Sequence, residues 1–272
     1  MISSKSSPSL SFPRRRESIF PQRAFWIPAC AGMTVRCIIA VCLLISSPAL
    51  AAPSCLIAID AGHYRAEPGA ISARGIPELE FNLNLARRFQ AALDKKGIRS
   101  FLTNPDGEME SLIDRPLSAE KAGATLFISI HHDSVEPFNL SLWQWHGDEH
   151  HYCDRFCGYS LYVSKRNPHF RESLHAARVT ADSLLKSGLT PALYHADPVL
   201  GENRPLLDKK RGIYNYRNLA VLMFAHIPAM LVEAGVIVNR DEELKVETPA
   251  YQDKIVAALT AAAVDHCNKL KN

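Results

Sequence analysis

The sequence predicts an α/β fold: one domain on a mostly parallel sheet, flanked by helices on both faces. Three observations lead there. Short apolar runs alternate with longer stretches of helical spacing from Leu56 to Lys269, and strands separated by helices favour a parallel sheet covered on both sides. The chain has 272 residues, 47% of them hydrophobic, enough for one sizeable core. No repeat, low-complexity tract or Gly/Ser linker follows residue 52, so residues 52–272 are read as a single domain with a long insertion around 136–215.

The elements follow in order. Leu56–Ile59 is a buried strand running into Asp60-Ala61-Gly62-His63. Residues 64–77 form a loop. From Glu78, Leu79, Leu83, Leu85, Ala86, Phe89 and Leu93 recur at helical spacing until Gly97 stops the helix. Arg99–Thr103 is a second strand, Leu112–Ala122 a helix that Pro116 is placed to kink. Leu126–Ile130 is a third strand, ending in His131-His132-Asp133. Residues 136–160 read as irregular and aromatic, Leu161–Ser164 as a short strand, His169–Ser187 as a long helix, and 189–215 as a second long loop region. Leu219–Phe224 is apolar, Ala229–Val232 is a strand ending at Glu233, and Asp241–Leu244 and Tyr251–Lys269 are helices.

The amino-terminal stretch differs from the rest. In residues 33–51, Arg36 precedes an apolar run from Cys37 to Ile45, and Ala49-Leu50-Ala51 follows. This is the layout of a secretory signal peptide, far too short an apolar run to span a bilayer. Residues 1–32 are expected to be a mis-assigned or disordered extension, with Met33 as the true start. An exported protein is expected, periplasmic first and secreted second, with no stable membrane span after processing. Residues 1–51 hold six of the 31 basic residues and one of the 28 acidic ones, which leaves 25 against 27, a net of −2. A body with that balance has no general attraction to nucleic acid. Beyond the signal segment four cysteines remain, Cys55, Cys153, Cys157 and Cys267. An even count in an exported chain favours disulfides, and the expected pairs are Cys153–Cys157 and Cys55–Cys267.

The residues that carry chemistry stand at strand ends. His63, His131 and Glu233 each follow a predicted strand, and Glu78 opens the first helix. In an open parallel sheet these positions gather at the carboxyl edge, where ligands bind. Two imidazoles and one carboxylate make a three-donor zinc site with a coordination position left for water. A second carboxylate then moves the proton that an amide leaving group needs. Spacing alone leaves open whether each His is a ligand or structural, and whether Glu78 merely complements the helix dipole.

Five blocks sharpen the reading: IAIDAGH at 57–63, PGA at 68–70, GIPELEFNLNLARRF at 75–89, LFISIHHD at 126–133 and PAMLVEAGVIVNRDEE at 228–243. Together they resemble the zinc N-acetylmuramoyl-L-alanine amidases, bacterial cell-wall hydrolases of the amidase 3 type. The resemblance implies a twisted, mostly parallel sheet of about six strands. It implies one zinc ion per chain on His63, Glu78 and His131, with Glu233 as the catalytic carboxylate and Glu78 preferred to its neighbour Glu80. It implies peptidoglycan or muropeptides as partner and hydrolysis of the amide between N-acetylmuramic acid and L-alanine. The alternatives are a silent wall-binding protein of the same fold, or a zinc carboxypeptidase or deacetylase. A protein activator is left open.

Departures from the family pattern define further candidates. Tyr64-Arg65 replaces the usual Gly-Gly after the first His, and His132 follows His131. His132 is either a substrate contact or a packed or solvent-facing ring. Asp133 either orients a ligand His or caps a loop. Glu202 is a candidate metal plug or substrate contact, against a solvated loop glutamate; some relatives carry an inhibitory helix in this part of the chain. Arg204, with Arg211 and Arg217, is a candidate for peptide carboxylates. Trp143, Trp145, Tyr152, Phe156 and Tyr159 are either a glycan-stacking surface or a small satellite core. His146, His150 and His151 are irregularly spaced and read as surface.

Overall fold

The computed structural model describes residues 54–271. The expected extension at 1–32 and signal peptide at 33–51 lie outside the described residues. In chain order the elements are β1 (Leu56–Ala61), α1 (Glu78–Lys95), β2 (Arg99–Leu102), α2 (Asp114–Lys121), β3 (Leu126–Asp133), β4 (Ser141–Trp145) and β5 (Asp148–Tyr152). They continue with β6 (Ser160–Val163), α3 (Phe170–Lys186), β7 (Leu206–Asp208), β8 (Ile213–Asn215), α4 (Ala220–Met223), β9 (Ala229–Val236), α5 (Arg240–Val246) and α6 (Pro249–Leu270).

Seven strands form the central sheet in the order β2-β1-β3-β9-β6-β8-β7. The first four run parallel. β6 is antiparallel to β9 and parallel to β8, and β7 closes the edge antiparallel to β8. Strand alternation sorts the core into two layers. Ile57, Ile59, Ile128, Ile130, Met230 and Val232 face a layer containing Leu83, Phe89, Leu184 and Leu259, from α1, α3 and α6. Ala58, Phe127 and Leu231 face the opposite layer with Ala119 of α2 and Val221 and Leu222 of α4. That alternation continues past the apolar residues: His131 and Glu233 fall on the same face as Phe127 and Leu231, and His132 falls on the α1 face.

The structure has more strands than the sequence predicts. The insertion contains the β4–β5 hairpin, turned by His146 and Gly147 at φ 53 and 96°, and the second loop region contains β7 and β8. The apolar run Leu219–Phe224 is a short helix rather than sheet. Trp143 and Trp145 do not wait for a ligand on the hairpin surface. The Arg74 guanidinium stacks on both, and Arg240 stacks on Trp143 and Tyr152, while the Trp143 indole N–H donates to Ala73 O. Phe156 packs on Tyr194, and Tyr159 is fully buried. The aromatics therefore fasten the insertion to the body. Among the described residues, no helix is long and apolar enough to cross a membrane.

Cys55 and Cys267 form a disulfide that ties the entry of β1 to α6. The expected Cys153–Cys157 bridge is absent, and both thiols are free. The chain separates them: Cys153 is buried with Val236 and Val238, its N–H held by Val238 O, while Cys157 is exposed by the Glu242–Lys245 turn. The single disulfide spans 212 residues, and closing so long a loop in the unfolded chain stabilises by about 2–5 kcal/mol. The double Cys55→Ser, Cys267→Ser variant is expected to lose that amount in denaturant unfolding and to match the wild type under reductant. An unchanged midpoint without reductant would show that the bridge contributes nothing.

Candidate functional site

The site is built from three turns at one end of the sheet. After β1 the chain turns sharply through Gly62 and His63, and His63 takes a left-handed φ of 68°. A non-glycine residue holds that conformation only when its surroundings over-determine it. Here they do. Buried Arg115 of α2 donates to Ala61 O at 2.9 Å and also to His63 O, and Asn104 Nδ2 donates to His63 O at 2.8 Å. Arg115 is itself paired with Asp60, whose carboxylate also accepts from Thr103 and Ser129.

Glu78 opens α1, where its charge complements the helix dipole. Its carboxylate is buried and meets both imidazoles: Oε2 lies 2.9 Å from His63 Nε2 and Oε1 lies 3.0 Å from His131 Nδ1. Asn82, one turn further along the helix, donates to Glu78 Oε1 at 3.1 Å and to Gly62 O at 3.2 Å. Ala70 N–H donates to Oε2 and His132 N–H to Oε1. Burial pushes the Glu78 carboxyl up, but the hydrogen bonds from His131 and His63 outweigh it and hold the group well below the usual carboxylate range.

One ligand atom from each of His63, Glu78 and His131 lies within 4.8 Å of the others. Two imidazole nitrogens and a carboxylate oxygen are a donor set suited to a divalent ion. Two glycines make room for it. A Cβ at Gly62 would fall 2.1 Å from His131 Nε2, and one at Gly69 would fall 2.5 Å from Glu78 Oε2 and 2.6 Å from the His63 ring. Glu80, the rival of Glu78, is exposed on the far side of the helix.

Glu233 stands beside this group. β3 and β9 run further than the apolar pattern indicates, so His131 and Glu233 are within strands rather than past them, and the two are register partners. Neighbours in register project to the same face. Glu233 Oε2 is buried and has no hydrogen-bond partner among the described residues. Burial, then the Asp133 and Glu78 charges, raise its pKa well above the carboxylate range, against the opposing pull of Arg204.

The other candidates sort differently. His132 points into the α1 layer, buried, with Nδ1 2.8 Å from Asn82 Oδ1 and its ring against Phe81. Burial lowers its pKa to about 4. It is a packed ring, not one facing substrate. Asp133 orients no ligand His; it accepts from Tyr194 OH at 2.5 Å and pairs with His195 Nε2 at 2.6 Å. Glu202 is neither solvated nor a plug: its buried carboxylate pairs with His195 Nδ1 at 2.9 Å and with Arg204. Arg204 stacks on Tyr216. His146 and His151 are exposed, as expected, whereas His150 is half-buried against Gly75.

Sequence reasoning missed Asn82, Arg115 and His195. The spacing of Glu78 and Asn82, four residues along one helix face, was a usable signal. Nothing local marked Arg115 or His195, whose partners include residues more than 50 positions away.

Comparison with known proteins agrees with this architecture. A family model described as Amidase_3, N-acetylmuramoyl-L-alanine amidase, matches residues 57–265. The chain is 28% identical over 239 residues to the N-acetylmuramoyl-L-alanine amidase AmiA of Salmonella typhimurium, covering 80% of this chain and 78% of that protein. It is 28% identical over 216 residues to the probable N-acetylmuramoyl-L-alanine amidase AmiB of Haemophilus influenzae, covering 73% of this chain and 49% of that protein, so it spans about half of that relative. The crystal structure of Ami1, an N-acetylmuramyl-L-alanine amidase from Mycobacterium smegmatis, shares the fold with a TM-score of 0.62 at 20% identity, over 80% of this chain and 99% of that one. With the family model matching more than half of its length, the chain belongs to the Amidase_3 family of N-acetylmuramoyl-L-alanine amidases and is an enzyme of that class.

Proposed function

We propose that the chain hydrolyses the amide between N-acetylmuramic acid and L-alanine of peptidoglycan, with one zinc ion held by His63, Glu78 and His131 and with Glu233 as the proton carrier. The observation that carries the reading is the meeting of a two-imidazole, one-carboxylate cluster with a buried carboxyl that has no other partner among the described residues. A buried polar atom without a hydrogen bond is costly, and a carboxyl kept in that state has a task that the resting structure does not satisfy.

When bound, zinc supplies Lewis acidity, which polarises the scissile carbonyl and makes water more acidic. The protein does the rest. Glu78 and the two rings fix the donor geometry, with Asn82 and the Ala70 and His132 N–H groups holding the carboxylate from behind. Glu233 takes a proton from the attacking water as its oxygen bonds to the lactyl carbonyl carbon. It then gives that proton to the alanine nitrogen as the C–N bond breaks, so that the peptide leaves as an amine rather than an amide anion. Burial of Glu233 serves this exchange by raising its basicity.

Export, by cleavage of the 33–51 segment, and a periplasmic location belong to the same proposal. The Cys55–Cys267 disulfide supports it, because such bridges persist in oxidising compartments. The test is release of stem peptides from purified peptidoglycan by the processed protein, with and without chelator, and with zinc restored. Mass spectrometry is expected to find a new alanine amine, abolished by chelation and recovered with zinc. A new sugar amine would make the enzyme a deacetylase. No release at any zinc loading would leave only a wall-binding role.

A further inference from the structure

Behind Glu233 lies a chain of charged groups that the metal cluster does not use. Asp133 Oδ2 takes the Tyr194 hydroxyl at 2.5 Å and faces His195 Nε2 at 2.6 Å. The other ring nitrogen, Nδ1, faces Glu202 Oε2 at 2.9 Å. Glu202 in turn pairs with the Arg204 guanidinium, and Arg204 N–H donates to His195 O at 2.7 Å, which closes the loop on itself. The Asp133, His195 and Glu202 side chains are each no more than 10% exposed. Tyr162, Tyr194 and Tyr214 surround the imidazole.

Ions this deep cost several kcal/mol each in lost hydration, and the chain persists because every charge is matched. Two carboxylates face two cations. Burial alone would depress the His195 pKa, but Asp133 and Glu202 outweigh it and push it up to about 9, so the ring is an imidazolium that donates at both nitrogens. An imidazolium between two carboxylates is a rigid spacer. It fastens the 194–204 segment, which has little regular structure of its own, to the end of β3.

The far end of that spacer is Arg204. Its charge and that of Glu233 both act on Tyr162 of β6, the strand paired with β9 at Glu233. Among the charged groups acting on Glu233, Asp133 and Glu78 are negative and Arg204 is the cation. None of the chain's hydrogen bonds or ion pairs reaches His63, Glu78 or His131, so its role is separate from metal holding.

We infer that His195 is a positioning residue for the hydrolysis: bridging Asp133 and Glu202, it sets Arg204 beside Glu233 as the counter-charge against which the reacting carboxyl works. The inference rests on the proposed role of Glu233. It places the effect of Arg204 in turnover rather than in substrate binding, because the group it faces is the proton carrier.

The test compares kcat and KM of the zinc-loaded enzyme on a soluble muropeptide, with zinc content, thermal unfolding and the affinity of the metal-free protein for the same muropeptide measured in parallel. Arg204→Met is expected to lower kcat about 100-fold, the scale of one group acting on proton transfer, with KM within about threefold. Arg204→Lys, which keeps the charge, is expected to recover about a tenth of wild-type kcat. His195→Gln loses one of the two bridges and is expected to fall about tenfold in kcat with one zinc still bound. If it does not fold, Glu202→Gln breaks the same link without changing the side chain's size and is expected to show the same split. In all of them the metal-free protein keeps wild-type affinity for the muropeptide. Wild-type kcat in folded His195→Gln or Glu202→Gln, or a rise in KM at constant kcat in Arg204→Met, overturns the inference while the hydrolytic reading stands. A wild-type enzyme inactive with zinc sinks both.

Discussion

Replacing Glu233 by Gln is expected to leave the zinc content at one per chain and to remove most of the turnover. The substitution keeps size and shape, and it touches none of the three donors that lie within 4.8 Å of one another. What it removes is a proton acceptor. General acid–base catalysis is worth about 100- to 10,000-fold, and a fall of that size in kcat is expected, with little change in KM. The pH profile carries a second signature. Burial first, then Asp133 and Glu78, raise the Glu233 pKa well above its ordinary 4.5. A base must be ionised to act, so the acidic limb of kcat/KM is expected above that value, with activity lost as pH falls through it. The residual activity of the Gln variant is expected to lack that limb. Metal analysis and steady-state rates across pH check both points; a variant that turns over at near wild-type rate would remove Glu233 from the reaction.

Much of the site was legible because its four principal residues stand at places where sequence pattern and geometry coincide. His63 follows an apolar run, and Glu78 starts a helix whose apolar spacing is regular. Glu78 could be told from Glu80 because two residues along a helix is a turn of about 200°, which puts Glu80 in solvent. His131 and His132 differ by one position in a strand and so face opposite layers. What pattern could not convey was contact between distant segments. Arg115 is fully buried, against every expectation for an arginine, because the carbonyls of Ala61 and His63 need a donor that only a folded chain brings to them. Asp133 and His195 lie 62 residues apart, and neither carries a local sign of the other. The β4–β5 hairpin escaped for a related reason. Its body-facing residues, Trp143, Trp145 and Tyr152, pack on two arginines rather than on apolar side chains, so the usual alternation of apolar and polar is blurred. The Cys153–Cys157 expectation failed because nearness in sequence says nothing of which way each thiol points.

Loss of one imidazole from the cluster is expected to empty it. His63→Ala removes one of three donors, whereas Asn82→Ala removes a group that only steadies Glu78 and the Gly62 carbonyl. Outer-shell losses of the second kind typically cost about 10- to 100-fold in metal affinity, so the loss of a direct donor is expected to cost more and to leave less than one equivalent after dialysis. The fold is expected to survive. The turn at residue 63 is held through its carbonyl by Arg115 and Asn104, not through its side chain, and alanine at the same φ meets strain comparable to that of histidine. Unfolding of the two metal-free proteins is therefore expected to coincide. The ordering of three proteins, wild type above Asn82→Ala above His63→Ala in zinc affinity at equal metal-free stability, distinguishes a ligand from a packing residue. One full equivalent of tightly held zinc in His63→Ala would show that the ion sits elsewhere, and with it the assignment of Glu78 and His131 would fall.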